Sequence, residues 1–186
     1  MGSMKRALVV IDVQESFRTR PLWDTIADPG IADPVNRLLR LARDAGDPVF
    51  WVLHSEPGTG NVFDPEQGHV RPLEGLDPPL PAEPVVYKTA HNAFTTTGLQ
   101  RLLTEAGVDE LVVCGIRTEQ CVETTARLAS DLGYRVVFVT DATTTHPVGA
   151  LSPEAIIERT EAALRGRFAR IATVAELETE REASPV

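Results

Sequence analysis

Cysteine is scarce in this chain. Its 186 residues hold two, Cys114 and Cys121, with no CxxC spacing and no cluster of partner ligands. That excludes a disulfide framework and a zinc finger, and points to a reducing, cytoplasmic setting. Long apolar runs are also missing. No stretch approaches the roughly 20 residues of a membrane-spanning helix, and the apolar run that ends at Ile11 is too short for a signal-peptide core. Positive charge is in deficit: 18 Lys and Arg stand against 27 Asp and Glu, a net charge of −9. Nucleic acid and anionic membrane are therefore not expected partners. A small substrate stays open, because a local pocket can differ in charge from the average surface. There is no internal repeat and no low-complexity tract.

What is present suits one globular domain. Hydrophobic residues make up 42% and charged residues 24%, enough for a single core. Met1-Gly2-Ser3 ahead of Met4 reads as a cloning scar, so the domain is expected over residues 4–180, with a polar tail at 181–186 that frays. Six short runs have the character of strands: Arg6–Asp12, Pro48–Leu53, Pro84–Lys88, Leu111–Gly115, Arg135–Thr140 and Phe168–Ala172. Most are continuous in Val, Leu and Ile, as strands buried on both faces are.

Helical patterns alternate with these runs. Asp33 is placed to cap a helix with Pro34 at its first position, and Val35, Leu38, Leu39 and Ala42 line one face up to Gly46. Leu99, Leu102, Leu103 and Ala106 repeat the pattern and Gly107 ends it. Thr118 is expected to open a third helix that runs to Gly133, Ser152-Pro153 a fourth, and the capping box Thr173–Glu176 a last one. Such alternation implies right-handed crossovers and an α/β fold, an open parallel sheet covered by helices. Residues 55–83 break the rhythm with four Gly and six Pro, and read as a loop that helps wall a pocket.

In open α/β sheets ligands bind beyond the carboxyl ends of the strands. Three reactive side chains fall there: Asp12 at the end of the first strand, Lys88 at the end of the third, and Cys121 just after the fourth. With Thr118 as N-cap, Cys121 occupies the third helical position, beside unpaired N–H groups and the positive end of the helix dipole. That setting favours a thiolate, and a nearby Lys88 ammonium favours it further. Asp12 can act as general base and return the proton to a leaving amine. Each residue alone has an ordinary structural use: a packing cysteine, a capping aspartate, a solvated lysine. It is their joint placement that points to chemistry. Gln14, Phe17, Trp23 and Phe63 are candidates for a pocket wall, with ordinary packing as the alternative. His91 and Asn92 face either pocket or solvent, and the loop Thr143–Leu151 lies at the edge where ligand binds, with His146 as its reactive-looking member. Glu119 reads as compensation of the helix dipole, and Cys114, mid-strand, as inert core.

These residues carry a resemblance. Leu8-Val-Val-Ile-Asp12-Val-Gln14-Glu-Ser-Phe17 resembles the first-strand signature of the isochorismatase-like cysteine hydrolases. Tyr87-Lys88-Thr-Ala-His-Asn-Ala-Phe94 resembles their lysine segment. Cys114-Gly-Ile-Arg-Thr-Glu-Gln-Cys121-Val122, with Thr124-Thr125-Ala126 and Gly133-Tyr134 after it, resembles their nucleophile segment, and Asp141-Ala142 also fits. The similarity implies a three-layer α/β/α Rossmann-like fold whose six-stranded parallel sheet has the order 3-2-1-4-5-6. It implies Asp12, Lys88 and Cys121 as a catalytic triad. It further implies a non-proline cis peptide between Ile116 and Arg117, and an oxyanion hole made by the backbone N–H groups of Arg117 and Cys121.

Members of that family hydrolyse non-peptide C–N bonds in small amides, carbamoyl compounds and lactams, and they commonly form homodimers or larger homo-oligomers. True isochorismatases cleave a vinyl ether and typically lack the cysteine. Cys121 therefore favours amide chemistry through a thioester on a small amide-like substrate. A vinyl ether hydrolase and a non-enzymatic small-molecule binder are the alternatives. Nicotinamidases of this family carry an Asp-x-His metal motif after the second strand. Here the matching residues are His54 and Glu56, with His69 downstream. Each is a side chain that can bind zinc, but the departure from the motif argues for His54 as a pocket group, no required metal or cofactor, and an activity other than that of a plain nicotinamidase.

Overall fold

The computed structural model describes residues 5–183. The proposed cloning scar and the end of the polar tail lie outside them. Along the chain run β1 (Arg6–Ile11), α1 (Glu15–Arg18), α2 (Ala32–Asp44), β2 (Val49–His54), β3 (Val85–Lys88), α3 (Leu99–Glu105), β4 (Glu110–Ile116), α4 (Glu123–Asp131), β5 (Arg135–Thr144), α5 (Pro153–Leu164), β6 (Arg170–Ala172) and α6 (Val174–Glu182). All six strands are parallel, in the order β3-β2-β1-β4-β5-β6. The expected sheet is thus the observed one.

The two-residue period of a strand explains how one apolar run serves two cores. In β1, Ala7, Val9 and Ile11 face one side, packing with Leu99 and Leu103 of α3, Ala126 of α4 and Leu164 of α5. Leu8 and Val10 face the other, packing with Val35, Leu38 and Leu39 of α2 and Leu177 of α6. Each such Leu or Val side chain contributes about 1.5–3 kcal/mol on burial. Register places the strand ends together: Ile11 stands level with Val52 and Gly115, and His54 with Lys88.

Two of the four N-cap expectations hold. Ser152 accepts from the Ala155 N–H at 3.2 Å, ahead of Pro153. Thr173 and Glu176 form the full capping box, at 3.2 and 2.8 Å. α3 follows Gly98 with no side-chain cap but starts at the expected Leu99. Two N-cap expectations fail. α2 begins at Ala32 with no side-chain cap, so Asp33 is already helical; Ile31, fully buried in the core, sets the start instead. Thr118 is likewise inside a π-helical turn, Thr118–Val122, whose cap residue is Arg117. The Thr118 hydroxyl bonds Thr143 Oγ1 at 3.0 Å rather than its own helix.

Other boundaries moved. β5 runs to Thr144, four residues past expectation, through an irregularity opposite Val113 and Gly115. Phe168 is not in β6; the Arg127 guanidinium stacks 4.5 Å from its ring centre. α6 continues to Glu182, where Arg181 donates to the Ala45 carbonyl at 3.2 Å. Among the described residues no helix is long and apolar enough to cross a membrane.

Candidate active site

Asp12 leaves β1 with a φ of 54°, the left-handed region that Asp tolerates better than most side chains. Its N–H donates to the Val52 carbonyl at 2.8 Å, which fixes the turn. Opposite it, Gly115 has a φ of 137°, and a Cβ there would lie 1.8 Å from the Ile11 carbonyl oxygen. Only glycine lets the end of β4 approach β1 this closely. That approach brings the turn carrying Cys121 over Asp12. β3 delivers Lys88, fully buried, to the same place. The peptide bond joining Ile116 to Arg117 is cis.

Lys88 Nζ is the hub. It lies 2.7 Å from Asp12 Oδ2, 3.1 Å from the Ala90 carbonyl, 3.2 Å from His54 Nδ1 and 3.4 Å from Cys121 Sγ. An ammonium has three protons for these four acceptors, and the thiol sulfur is the longest and weakest of them. His54 Nε2 is 2.9 Å from Glu56 Oε1, and Glu56 Oε2 accepts from Asn61 Nδ2 at 2.6 Å. This pattern assigns the neutral His54 tautomer, with Nδ1 accepting from Lys88 and Nε2–H donating to Glu56.

Asp12 is fully buried, and neither of its oxygens has a well-directed hydrogen bond among the described residues. The ammonium compensates its charge without saturating its lone pairs. Burial pushes its carboxyl up from the ordinary value, against the opposing pull of Lys88. Burial first, and the Asp12 charge second, push the Cys121 thiol up to about 12. Burial and the Asp12 charge thus act against the expected thiolate, and the Lys88 ammonium acts for it. Cys114 is fully buried in β4, its thiol also raised by burial, and is core as expected.

A cavity of about 550 Å³ opens over Cys121. Phe17, His54 and Phe63 line it as proposed; Phe63 packs edge-on against both, with ring centres 5.2 and 5.3 Å apart. Gln14 does not reach it. Fully buried, its side chain accepts from the His54 N–H at 2.7 Å and donates to the His54 carbonyl at 3.0 Å, so it clamps the residue that touches Lys88. Trp23 does not line it either; it lies in a small adjoining crevice that shares Phe17, Arg20 and Arg117 with the cavity. Glu119, half-buried, pairs with the Arg117 guanidinium at 2.6 Å. His54 and Glu56 bond each other, and His69 lies outside the cavity lining, its carbonyl accepting from Ser16. Arg20, Asn61, Thr89 and Gln120 line the cavity unannounced by any periodicity. The only signal was the loop-like composition of 55–83, which does supply Glu56, Asn61, Val62 and Phe63.

Comparison with known proteins agrees with this geometry. The Isochorismatase domain model matches residues 6–178. A streptothricin hydrolase from Streptomyces noursei is 38% identical over 179 residues, spanning 93% of this chain and 61% of that protein's length. An isochorismatase-family crystal structure from Chromobacterium violaceum superposes with a TM-score of 0.88 at 28% identity, over 96% of this chain and 94% of its own. A cysteine hydrolase from Pseudomonas syringae pv. phaseolicola gives 0.84 at 25% identity, over 95% and 94%. The chain therefore belongs to the isochorismatase-like hydrolase family.

Proposed function

We propose that the protein hydrolyses a C–N bond of a small non-peptide amide, carbamoyl compound or lactam, with Cys121 as nucleophile. The observation that carries this reading is the buried cluster in which one ammonium touches both the Asp12 carboxylate, at 2.7 Å, and the Cys121 sulfur, at 3.4 Å, beneath an open cavity. The names of the Streptomyces relative and the Pseudomonas structure support it at the level of hydrolysis and of cysteine chemistry.

The proposed steps start from a thiol at Cys121 and a carboxylate at Asp12. As substrate enters, Asp12 takes the Cys121 proton, and Lys88 turns an N–H from the neutralised carboxyl to the new thiolate. The sulfur attacks the carbonyl carbon. The oxyanion is received by the backbone N–H groups of Arg117 and Cys121. Collapse breaks the C–N bond, and protonated Asp12 gives its proton to the leaving nitrogen. Water then attacks the thioester, losing its proton to Asp12, and the acid leaves as the thiol is restored. General acid–base transfer of this kind contributes about 10²–10⁴-fold.

The test is a panel of small amides, ureides and lactams, read as released ammonia or amine, with Cys121→Ala as the blank. Turnover that disappears in Cys121→Ala supports the reading. Turnover that persists in the variant contradicts it.

A further inference from the structure

The cavity wall carries an imbalance of charge that the proposed chemistry leaves unused. Its ionic groups are Arg20, Arg117 and Glu56, with His54 and His91 beside them. Glu56 is turned to the protein: one oxygen takes His54 and the other Asn61. Arg117 is held on Glu119 at 2.6 Å and on Thr145 Oγ1 at 3.4 Å. Arg20 differs. It is half-buried, its backbone is fixed by a 3.1 Å bond to the Phe17 carbonyl, and among the described residues its guanidinium has neither an ion-pair partner nor a side-chain hydrogen bond. Its attraction is the smallest of the influences on Glu56, and its charge adds to the cost of keeping Arg117 ionised. A protein of net charge −9 thus lines one cavity with two arginines and, among the described residues, leaves one of them without an ion-pair partner.

A guanidinium presents a planar fork of donors that fits a carboxylate on two bonds. A half-desolvated fork that lines one cavity with a second cation, and feels its charge, is stabilised by a bound anion. We infer that Arg20, with Arg117 beside it, forms an anion subsite, and that the substrate is an amide that also carries a carboxylate. The Phe17–Phe63 pair lines the same cavity, edge to face at 5.2 Å, and gives the body of that substrate an apolar or planar surface to rest on. The carboxylate then fixes the end of the molecule away from Cys121, and the amide carbonyl is the group left over the sulfur. This rests on the hydrolase reading for the identity of the amide, but not for the anion subsite itself.

Benzoate and benzamide separate the two questions, since they share a shape and differ in charge. Their affinities for the whole protein can be measured by calorimetry or ligand-observed NMR, without turnover. The expected result is that benzoate binds more tightly, that Arg20→Gln weakens benzoate about tenfold, the loss of one charged hydrogen-bonded contact, and that benzamide is unaffected. Arg20→Lys should retain part of the preference. Benzoate affinity should also fall with added potassium chloride while benzamide affinity stays constant, a reading that needs no variant. Equal binding of the two ligands, binding of neither, a benzoate preference that survives Arg20→Gln, or an identical salt response would each overturn the subsite. None of these outcomes bears on Cys121, whose role stands or falls on the Cys121→Ala blank.

Discussion

Lys88 Nζ meets His54 Nδ1 at 3.2 Å because the register of β2 and β3 sets the two residues side by side. The imidazole holds one of the three ammonium protons, and Glu56 holds the imidazole from its other side at 2.9 Å. On the proposed mechanism His54 is thereby a positioning residue that acts through Lys88. Replacing it with leucine frees the ammonium to rotate away from the sulfur. Activity towards a working substrate should fall about ten- to hundredfold, mainly in kcat, as small misplacements of catalytic groups do. His54→Asn keeps an acceptor close to the position of Nδ1 and should recover much of the loss. Steady-state kinetics of the two variants against native protein would check this; equal losses in both would contradict it.

Asp12→Asn should have opposite effects on chemistry and on acidity. The Asp12 charge and its contact with the thiol both raise the Cys121 pKa. Without them the thiol, still beside Lys88, should ionise at lower pH. Ultraviolet thiolate absorbance, or the pH dependence of iodoacetamide labelling, should show the shift. Hydrolysis should nonetheless drop about 10²–10⁴-fold, because the base that returns the proton to the leaving nitrogen is gone.

The buried thiol also ties stability to pH. Its pKa rises from 9.0 to about 12 on folding, so the folded state binds the proton more tightly than the unfolded chain. Its contribution is fully present below pH 9 and is lost as pH climbs towards 12. The limit for one such group is about 1.4 kcal/mol per pH unit. Urea unfolding across this range should show a steeper loss for the native protein than for Cys121→Ala. Cys114 is common to both and cancels in the comparison.

Gly115→Ala tests the packing of the strand ends. A methyl group 1.8 Å from the Ile11 carbonyl, on a residue with φ of 137°, must force β4 away from β1. The expected cost is over 3 kcal/mol, in the range of strained backbone and overpacking combined. Thermal or urea unfolding reads it directly, and a stable variant would contradict the close approach.

The sheet was legible because continuous apolar runs with helices between them admit few alternatives. The convergence of Asp12, Lys88 and Cys121 was legible because parallel strands end side by side and all three residues fall at those ends. Other features depend on contacts between distant positions. Gln14 reads as a pocket group until it is seen clamping the backbone of His54, forty positions along the chain. The influence of burial on the Cys121 thiol could not be read from its helix position, since it comes from the whole fold. α1 is four residues long, too short for any period to show. Arg20 sits between that helix and a short 3-10 turn, where no pattern marks it. The start of α2 followed Ile31 into the core rather than the capping preference of Asp33.

The central claim is a covalent bond to one sulfur. Intact-protein and peptide mass spectrometry of the protein, acid-quenched during turnover of a responsive amide, tests it most directly. An acyl adduct should appear on the peptide containing Cys121, at a level that follows substrate and vanishes in Cys121→Ala. Full turnover with no adduct, or an adduct on Cys114 instead, would contradict it.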